Sequence, residues 1–193
     1  MRKVLMIGLL AGALLGGGCG GDDDDAANGG GGGGGGQKQE GAVDGTGYSF
    51  VPPDKWRDAS DAFEGSAIKI DLAYVEPEPE AGFGNNVNVI RETPNGLDAD
   101  RLDDYGDEFR RQASTQASEA GLSETEKTEL DGEPALTWDF DSASADPKVH
   151  QKQVVTIHDD ALYTITWSAR ADAYDETTAD LQGMLDSWRW SGG

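Results

Sequence analysis

The position of the aromatic residues is the feature that most restricts how this chain can fold. No Phe, Trp or Tyr precedes Tyr48, and all five residues of each type lie from that position onward. A hydrophobic core depends on such large apolar side chains. The folded domain is therefore predicted to span residues 46–193, a length that buries about two-thirds of the unfolded surface.

The net charge of the chain restricts the kinds of partner that it can bind. The chain has 37 Asp and Glu against 15 Lys and Arg, a formal net charge of −22 at pH 7. A surface of this sign repels phosphate backbones and anionic lipid headgroups. Nucleic acid is therefore excluded as an expected partner, and the composition fits an extracytoplasmic protein.

The first 18 residues have the layout of a secretory signal. Arg2 and Lys3 precede an apolar run over residues 4–15, and three glycines then lead to Cys19, the only cysteine. Twelve apolar residues are too few to span a bilayer as a helix.

This layout resembles a bacterial lipoprotein signal peptide. Gly18 matches the residue that precedes the cysteine in that family, whereas Gly16 stands where the family has Leu or a similar apolar residue. The resemblance implies that residues 1–18 are removed and that Cys19 becomes an acylated N-terminus, with fatty chains such as palmitate. Two or more chains hold a protein stably on a membrane, so we expect an extracytoplasmic protein anchored to the bacterial cell membrane. The alternative is an ordinary secreted protein with a free thiol.

Residues 19–45 are predicted to form a flexible tether. This segment contains four consecutive aspartates, Asp22–Asp25, and eight consecutive glycines, Gly29–Gly36. Glycine makes an ordered state entropically costly, and nothing in the segment can form a core. Its root-mean-square span is about 25–30 Å.

Periodicity in the rest of the chain predicts an α+β domain. Residues 67–75 alternate apolar and polar side chains, as a half-buried strand does. A short strand before Pro52 and further strands are expected at 85–92, 124–130, 135–140, 149–157 and 161–167. Apolar spacings of three and four predict helices over 98–120, with Asp98 as N-cap, and over 174–188. The order favours a curved antiparallel sheet with two packed helices.

The positions of proline, tryptophan and apolar residues resemble the PsbP-like superfamily. The segments that carry the resemblance are "YSFVPPDKW", "NNVNVIRE", "GEPALTWDF", "LYTITWSA" and "MLDSWRW", together covering about residues 47–190. The superfamily includes bacterial lipoproteins of the DcrB/LpqN type. The resemblance implies an α/β/α sandwich and a non-enzymatic accessory or binding protein of the envelope, and it transfers no catalytic residue.

The sequence offers no catalytic nucleophile or zinc site. It has no G-x-S-x-G elbow, and Cys19 is expected to be acylated. His150 and His158 lie eight residues apart on one predicted strand, a separation of about 26 Å. One zinc ion cannot take both. His158 is expected to be a solvated residue of a hairpin turn.

Residues 139–147 partly match a calcium-binding loop, but they lack the required ligands. Asp139 and Asp141 occupy alternate positions, as the first two ligands of an EF-hand do. Ala143, Ser144 and His150 then stand where that loop needs an oxygen ligand, a glycine and a glutamate. We therefore predict no metal and no cofactor.

The tryptophans divide into two groups. Trp138, Trp167 and Trp188 fall on core-facing positions of their predicted elements. Trp56 follows two prolines and Trp190 lies past the last helix. Each of these two could pack against the domain or form part of an exposed contact surface. Packing is the favoured interpretation for each.

Three functions remain open at the level of sequence. The leading hypothesis is a lipid-anchored envelope protein that binds a partner or ligand and catalyses no reaction. The second is an extracytoplasmic carrier of a small ligand or cation. The third is a hydrolase with acidic catalytic groups, which requires two carboxylates within about 10 Å of each other.

Overall fold

The computed structural model describes residues 39–65, 69–77, 83–94, 96, 98–115, 117–143 and 147–191. The elements follow in the order β1 Val43–Gly45, β2 Tyr48–Phe50, β3 Arg57–Asp58, β4 Ile70–Val75, β5 Asn86–Glu92, α1 Leu102–Ser114, β6 Ala117–Leu122, β7 Glu126–Leu130, β8 Glu133–Ser142, β9 Val149–His158, β10 Ala161–Arg170, α2 Tyr174–Asp186 and β11 Arg189–Trp190.

The main sheet is antiparallel and has eight strands. Its order is β3-β4-β5-β10-β9-β8-β6. Strand β7 also pairs with β8, along its first half, whereas β6 pairs with its last residues. The long hairpin of β9 and β10 forms the centre of the sheet, and the predicted α+β architecture is confirmed.

Each face of the main sheet is covered by one helix. Residues directly opposed across strands share a face, so the strand register separates the two sides. On one face, Leu181 and Met184 of α2 pack with Val154, Ile165 and Trp167. On the other face, residues of α1 pack against side chains of the strands; this second core contains Leu102, Phe109, Ala113, Leu136, Trp138, Phe140, Val155, Ile157 and Leu162.

A second, three-stranded sheet joins the two ends of the domain. Its order is β1-β2-β11, so β2 is the central strand and pairs with both the first and the last strand of the domain. The folded domain therefore includes Val43–Gly45, three residues that the sequence interpretation placed at the end of the tether. Gly45 is required here, because a Cβ at this position would overlap the buried ring of Tyr48.

The first predicted helix is too long. Helix α1 ends at Ser114, and residues 117–122 form β6, which pairs with β8. The expected N-cap is displaced as well, since Asp98 caps a short 3₁₀ turn over Ala99–Arg101, immediately before α1, by accepting from the amide of Asp100. The alanines at 113, 117 and 120 have a spacing that suits the helix, but the pairing with β8 decides the structure of the last two.

Two tight turns set the register of the long hairpins. Asp131 and Gly132 connect β7 to β8, and Asp159 and Asp160 connect β9 to β10, all four with positive φ. Two-residue turns with positive φ at both positions match the twist of antiparallel strands. The predicted hairpin after His158 is thus confirmed.

None of the helices in the described part of the chain is both long and apolar enough to cross a bilayer.

Candidate functional site

A cluster of ionisable side chains lies where β8, β9 and the start of α2 meet. In the register of β8 and β9, Asp141 is directly opposite His150 and Asp139 is opposite Lys152, so all four side chains share one face. Tyr174, the first residue of α2, lies over the same corner, with its ring centroid 4.0 Å from that of His150. We call these five residues the His150 cluster.

His150 lies between two carboxylates. Its Nδ1 is 2.7 Å from Oδ1 of Asp141, and its Nε2 is 3.6 Å from Oδ1 of Asp139. The histidine side chain is 25% exposed, so this contact is shielded from solvent on most sides. The histidine and the two aspartates that the sequence had singled out separately are therefore brought together by strand pairing.

Asp139 is the acceptor at the centre of the cluster. The phenol of Tyr174 donates to its Oδ1 at 2.8 Å, and Nζ of Lys152 donates to its Oδ2 at 3.0 Å. Hydrogen bonds between charged groups are roughly twice as strong as neutral ones. The sequence analysis did not single out Tyr174 or Lys152. The one signal that could have found Lys152 was the two-residue spacing of positions 139 and 141 on one strand and of 150 and 152 on the next.

These contacts shift the ionisation of the cluster. Burial alone would raise the pKa of Asp139, but the donors His150, Lys152 and Tyr174 lower this pKa to about 2. Burial alone would lower the pKa of His150, but the carboxylates of Asp139 and Asp141 raise it above its ordinary value. Burial and the Asp139 carboxylate together raise the pKa of the Tyr174 phenol. At neutral pH Asp139 is therefore ionised and Tyr174 is neutral.

The cluster is suited to holding strands and helix together by charge. Each oxygen of Asp139 has a donor within 3.0 Å, and both ring nitrogens of His150 face a carboxylate. The carboxylate pair required by the hydrolase hypothesis is present, but both oxygens of Asp139 and Oδ1 of Asp141 contact neighbouring side chains. Across the residues that the structure describes, no group of three or more His, Cys, Asp or Glu is arranged to hold a metal ion.

The interpretation of His158 as a solvated turn residue is wrong. His158 is the last residue of β9, its side chain is 14% exposed, and its ring stacks on Trp190 at a centroid distance of 4.3 Å. Its Nδ1 lies 3.0 Å from Oε1 of Glu133. The aromatic partner comes from the last strand of the other sheet, which no local pattern around His158 could reveal.

A second polar feature lies on the opposite face of the central strands. Asn88, Thr166 and Gln153 are directly opposed across β5, β10 and β9 and are at most 3% exposed. We call these three residues the amide row. Gln153 Nε2 donates to Thr166 Oγ1 at 3.2 Å, while its Oε1 and the neighbouring Trp138 Nε1 are buried without a hydrogen-bond partner. Buried polar atoms normally have partners.

The five tryptophans lie where packing dominates. Trp138, Trp167 and Trp188 are fully buried, as predicted. Trp56 is half-buried and stacks on Trp167 at 4.8 Å, and Trp190 is half-buried against His158 and Tyr163. The packing interpretation of the last two is thus supported by their contacts. Cys19, the predicted lipidation site, lies outside the described residues.

An antiparallel sheet with one helix on each face and a small sheet closing one side defines an α+β sandwich domain. The chain belongs to the PsbP family, whose model matches residues 42–190. No protein of curated function matches the sequence.

Two solved structures show the same fold at low sequence identity. The solution structure of cyanobacterial PsbP (CyanoP) from Synechocystis sp. PCC 6803 is similar at 20% identity and a TM-score of 0.58, covering 82% of this chain and 98% of that one. The crystal structure of LpqN, involved in cell envelope biogenesis of Mycobacterium tuberculosis, is similar at 15% identity and a TM-score of 0.56, covering 75% and 83%. At these identities the likeness establishes the fold alone.

Proposed function

We propose that this protein is a lipid-anchored, extracytoplasmic binding protein that catalyses no reaction. The observation that carries the proposal is the only cysteine, Cys19, placed between an apolar leader and a glycine tether and followed by a PsbP-family domain. Acyl chains on Cys19 would supply membrane affinity of about 0.8 kcal/mol per buried methylene. The tether would let the acidic domain stand off from the bilayer and meet a partner protein of the envelope.

The relatives and the charge are consistent with this location. LpqN, one of the similar structures, is described as involved in cell envelope biogenesis. The whole chain has a net charge of −22 and is repelled by anionic headgroups, so attachment through acyl chains is the physically suitable route.

The contacts of the His150 cluster argue against a catalytic role for its residues. A general base needs a ring nitrogen that faces the proton it abstracts, and both nitrogens of His150 face carboxylates instead. A nucleophilic or acid role for Asp139 would require it to give up three donors that lower its pKa.

Fractionation of cells that express the full chain tests the anchor. The wild-type protein is expected in the membrane fraction, and Cys19→Ala is expected in the soluble extracytoplasmic fraction because it has no atom to acylate. Asn28→Ala, a change within the tether, is the matched control and should fractionate as wild type. Membrane retention of Cys19→Ala, or a free thiol at Cys19 in the mass of the mature protein, would refute the proposal.

The amide row favours a second candidate, a carrier of a small uncharged ligand. Gln153 Oε1 and Trp138 Nε1 are an acceptor and a donor without partners, and a buried orphan of this kind costs about 1–3 kcal/mol. A ligand with both an amide or hydroxyl donor and an acceptor would satisfy the pair, whereas a charged ligand would be left unpaired there.

Thermal shift measurements on the purified protein test this candidate. Glucose and N-acetylglucosamine serve as uncharged probes and calcium as the charged comparison. A ligand that binds the folded state raises Tm with concentration, and we expect such a rise with an uncharged probe in wild type but not in Gln153→Leu. The absence of any shift with the uncharged probes in wild type would count against the carrier.

A further inference from the structure

We propose that His150 is a pH-sensitive clamp, which fastens the first turn of α2 to the sheet when its ring is protonated and loosens it when the ring is neutral. The inference goes beyond the proposed function, because it concerns how the domain responds to protons and does not depend on the anchor or on any partner.

The geometry of the ring selects the protonated form. Nδ1 faces Asp141 at 2.7 Å and Nε2 faces Asp139 at 3.6 Å. Imidazolium donates from both nitrogens, but neutral imidazole donates from only one and presents a lone pair at the other. Neutral His150 therefore keeps one carboxylate contact and repels the second carboxylate.

The second carboxylate is the one that holds α2. Oδ1 of Asp139 faces Nε2 of His150 and also accepts the phenol proton of Tyr174, the first residue of that helix. The rings of His150 and Tyr174 are in contact, with 4.0 Å between centroids and a 53° tilt. A change of charge at the imidazole thus acts on Tyr174 both through the shared oxygen and through the ring contact.

The rest of α2 has independent attachments, so the response is confined to its first turn. Thr177 accepts a hydrogen bond from the buried indole of Trp167 at 3.2 Å, and Leu181 and Met184 belong to the core. Residues 174–176 precede these anchors, and Tyr174 contacts β8 through the hydrogen bond from its phenol to Asp139.

The charged groups around the ring set the direction of the response. The groups on the surrounding elements are Asp139 and Asp141 of β8, Lys152 of β9, the Arg170–Asp172 ion pair between β10 and α2, and Asp175 in the first turn of α2. Burial lowers the pKa of His150, but its two carboxylate neighbours raise this pKa by more than burial lowers it, so the pKa lies above its ordinary value. The clamp is accordingly closed in acid and opens as the pH rises through that raised pKa.

NMR of the full chain tests the clamp. The chain has only two histidines and five tyrosines, so ring signals are assigned from His158→Gln and Tyr174→Phe. We expect the Tyr174 ring signal to shift with the same midpoint as the His150 ring between pH 5 and 9. His158→Gln is the matched control and should leave both midpoints unchanged.

Two variants test whether the response of Tyr174 follows the charge of His150. Asp141→Asn is expected to lower the His150 midpoint by about one pH unit, because it removes one opposite charge, and the Tyr174 midpoint should fall with it. In His150→Gln the Tyr174 signal should lose its transition in this range. A Tyr174 signal that stays constant through the His150 transition, or that titrates equally in His150→Gln, would overturn the proposal.

Discussion

Asp139 shows how partners decide the behaviour of a single residue. Its position on β8 buries it halfway, which disfavours charge, and yet three side chains, two from β9 and one from α2, keep it ionised down to a pKa of about 2. The sequence marked Asp139 only as a position in a calcium-loop pattern that lacks its other ligands. The contacts depend on register, so Asp139 could be assigned a role only after β8 and β9 were paired.

Replacing this carboxylate should change how the free energy of unfolding depends on pH in the acid range. The folded pKa of Asp139 is lowered, so its contribution is present above the unfolded value near 4 and is lost as pH falls through about 2. Asp139→Asn is expected to reduce the free energy of unfolding at pH 6 by about 1–2 kcal/mol. Urea unfolding at pH 6, 4 and 2.5 measures this, and the gap between the two proteins should narrow at low pH. A gap that is constant over this range would exclude ionisation of Asp139 as the cause.

Helix boundaries were less predictable than the existence of the helices. In α1, the hydroxyls of Ser114 and Thr115 donate to the carbonyls of Arg111 and Gln112, which ends the helix with local partners. The next residues extend along β8 because an edge of that strand is available there. Small residues at 117 and 120 fit a helix or a strand equally, so tertiary pairing made the choice.

Helix α2 contains a glycine, Gly183, at a position where a larger side chain would fit. A Cβ at Gly183 would meet no atom within 4 Å, and glycine in a helix interior is about 1 kcal/mol less favourable than alanine. Gly183→Ala is therefore expected to raise the free energy of unfolding by about 0.5–1 kcal/mol, measured by denaturant unfolding.

Gly106 in α1 is the matched comparison. A Cβ there would lie 2.8 Å from Cδ1 of buried Leu136, so the gain in helix propensity is opposed by crowding between α1 and the sheet. Gly106→Ala should stabilise the protein less than Gly183→Ala does. Equal gains at the two sites would show that α1 does not approach the sheet this closely.

At the scale of the whole molecule, an aromatic cluster joins the two sheets. Tyr48 and Trp188 stack at 4.3 Å, and Trp190 contacts Trp188, Tyr163 and His158. The first and last strands of the domain thereby close onto the same side of the main sheet. The proposed tether would leave the domain from this small sheet, since β1 is its first strand.

Removing the last aromatic should weaken the entire domain. Trp190 also donates from Nε1 to the carbonyl of Leu130 at 3.0 Å. Trp190→Ala is expected to lower the free energy of unfolding by about 2–4 kcal/mol, with coincident transitions by circular dichroism and fluorescence. Trp190→Phe, which keeps a ring but loses the donor, should lose about 1 kcal/mol. A wild-type midpoint for Trp190→Ala would mean that the C-terminal strand contributes nothing to closure.

The sequence by itself determined the α+β class, most strands, both helices and the burial of Trp138, Trp167 and Trp188, because these follow from the local periodicity of apolar side chains. Tertiary structure alone decided the His150 cluster, the stacking of His158 on Trp190, the amide row and the three-stranded sheet. The physical reason is that these features join side chains far apart along the chain. Their contacts exist only once strand register and the packing of α2 bring them within hydrogen-bonding or van der Waals distance.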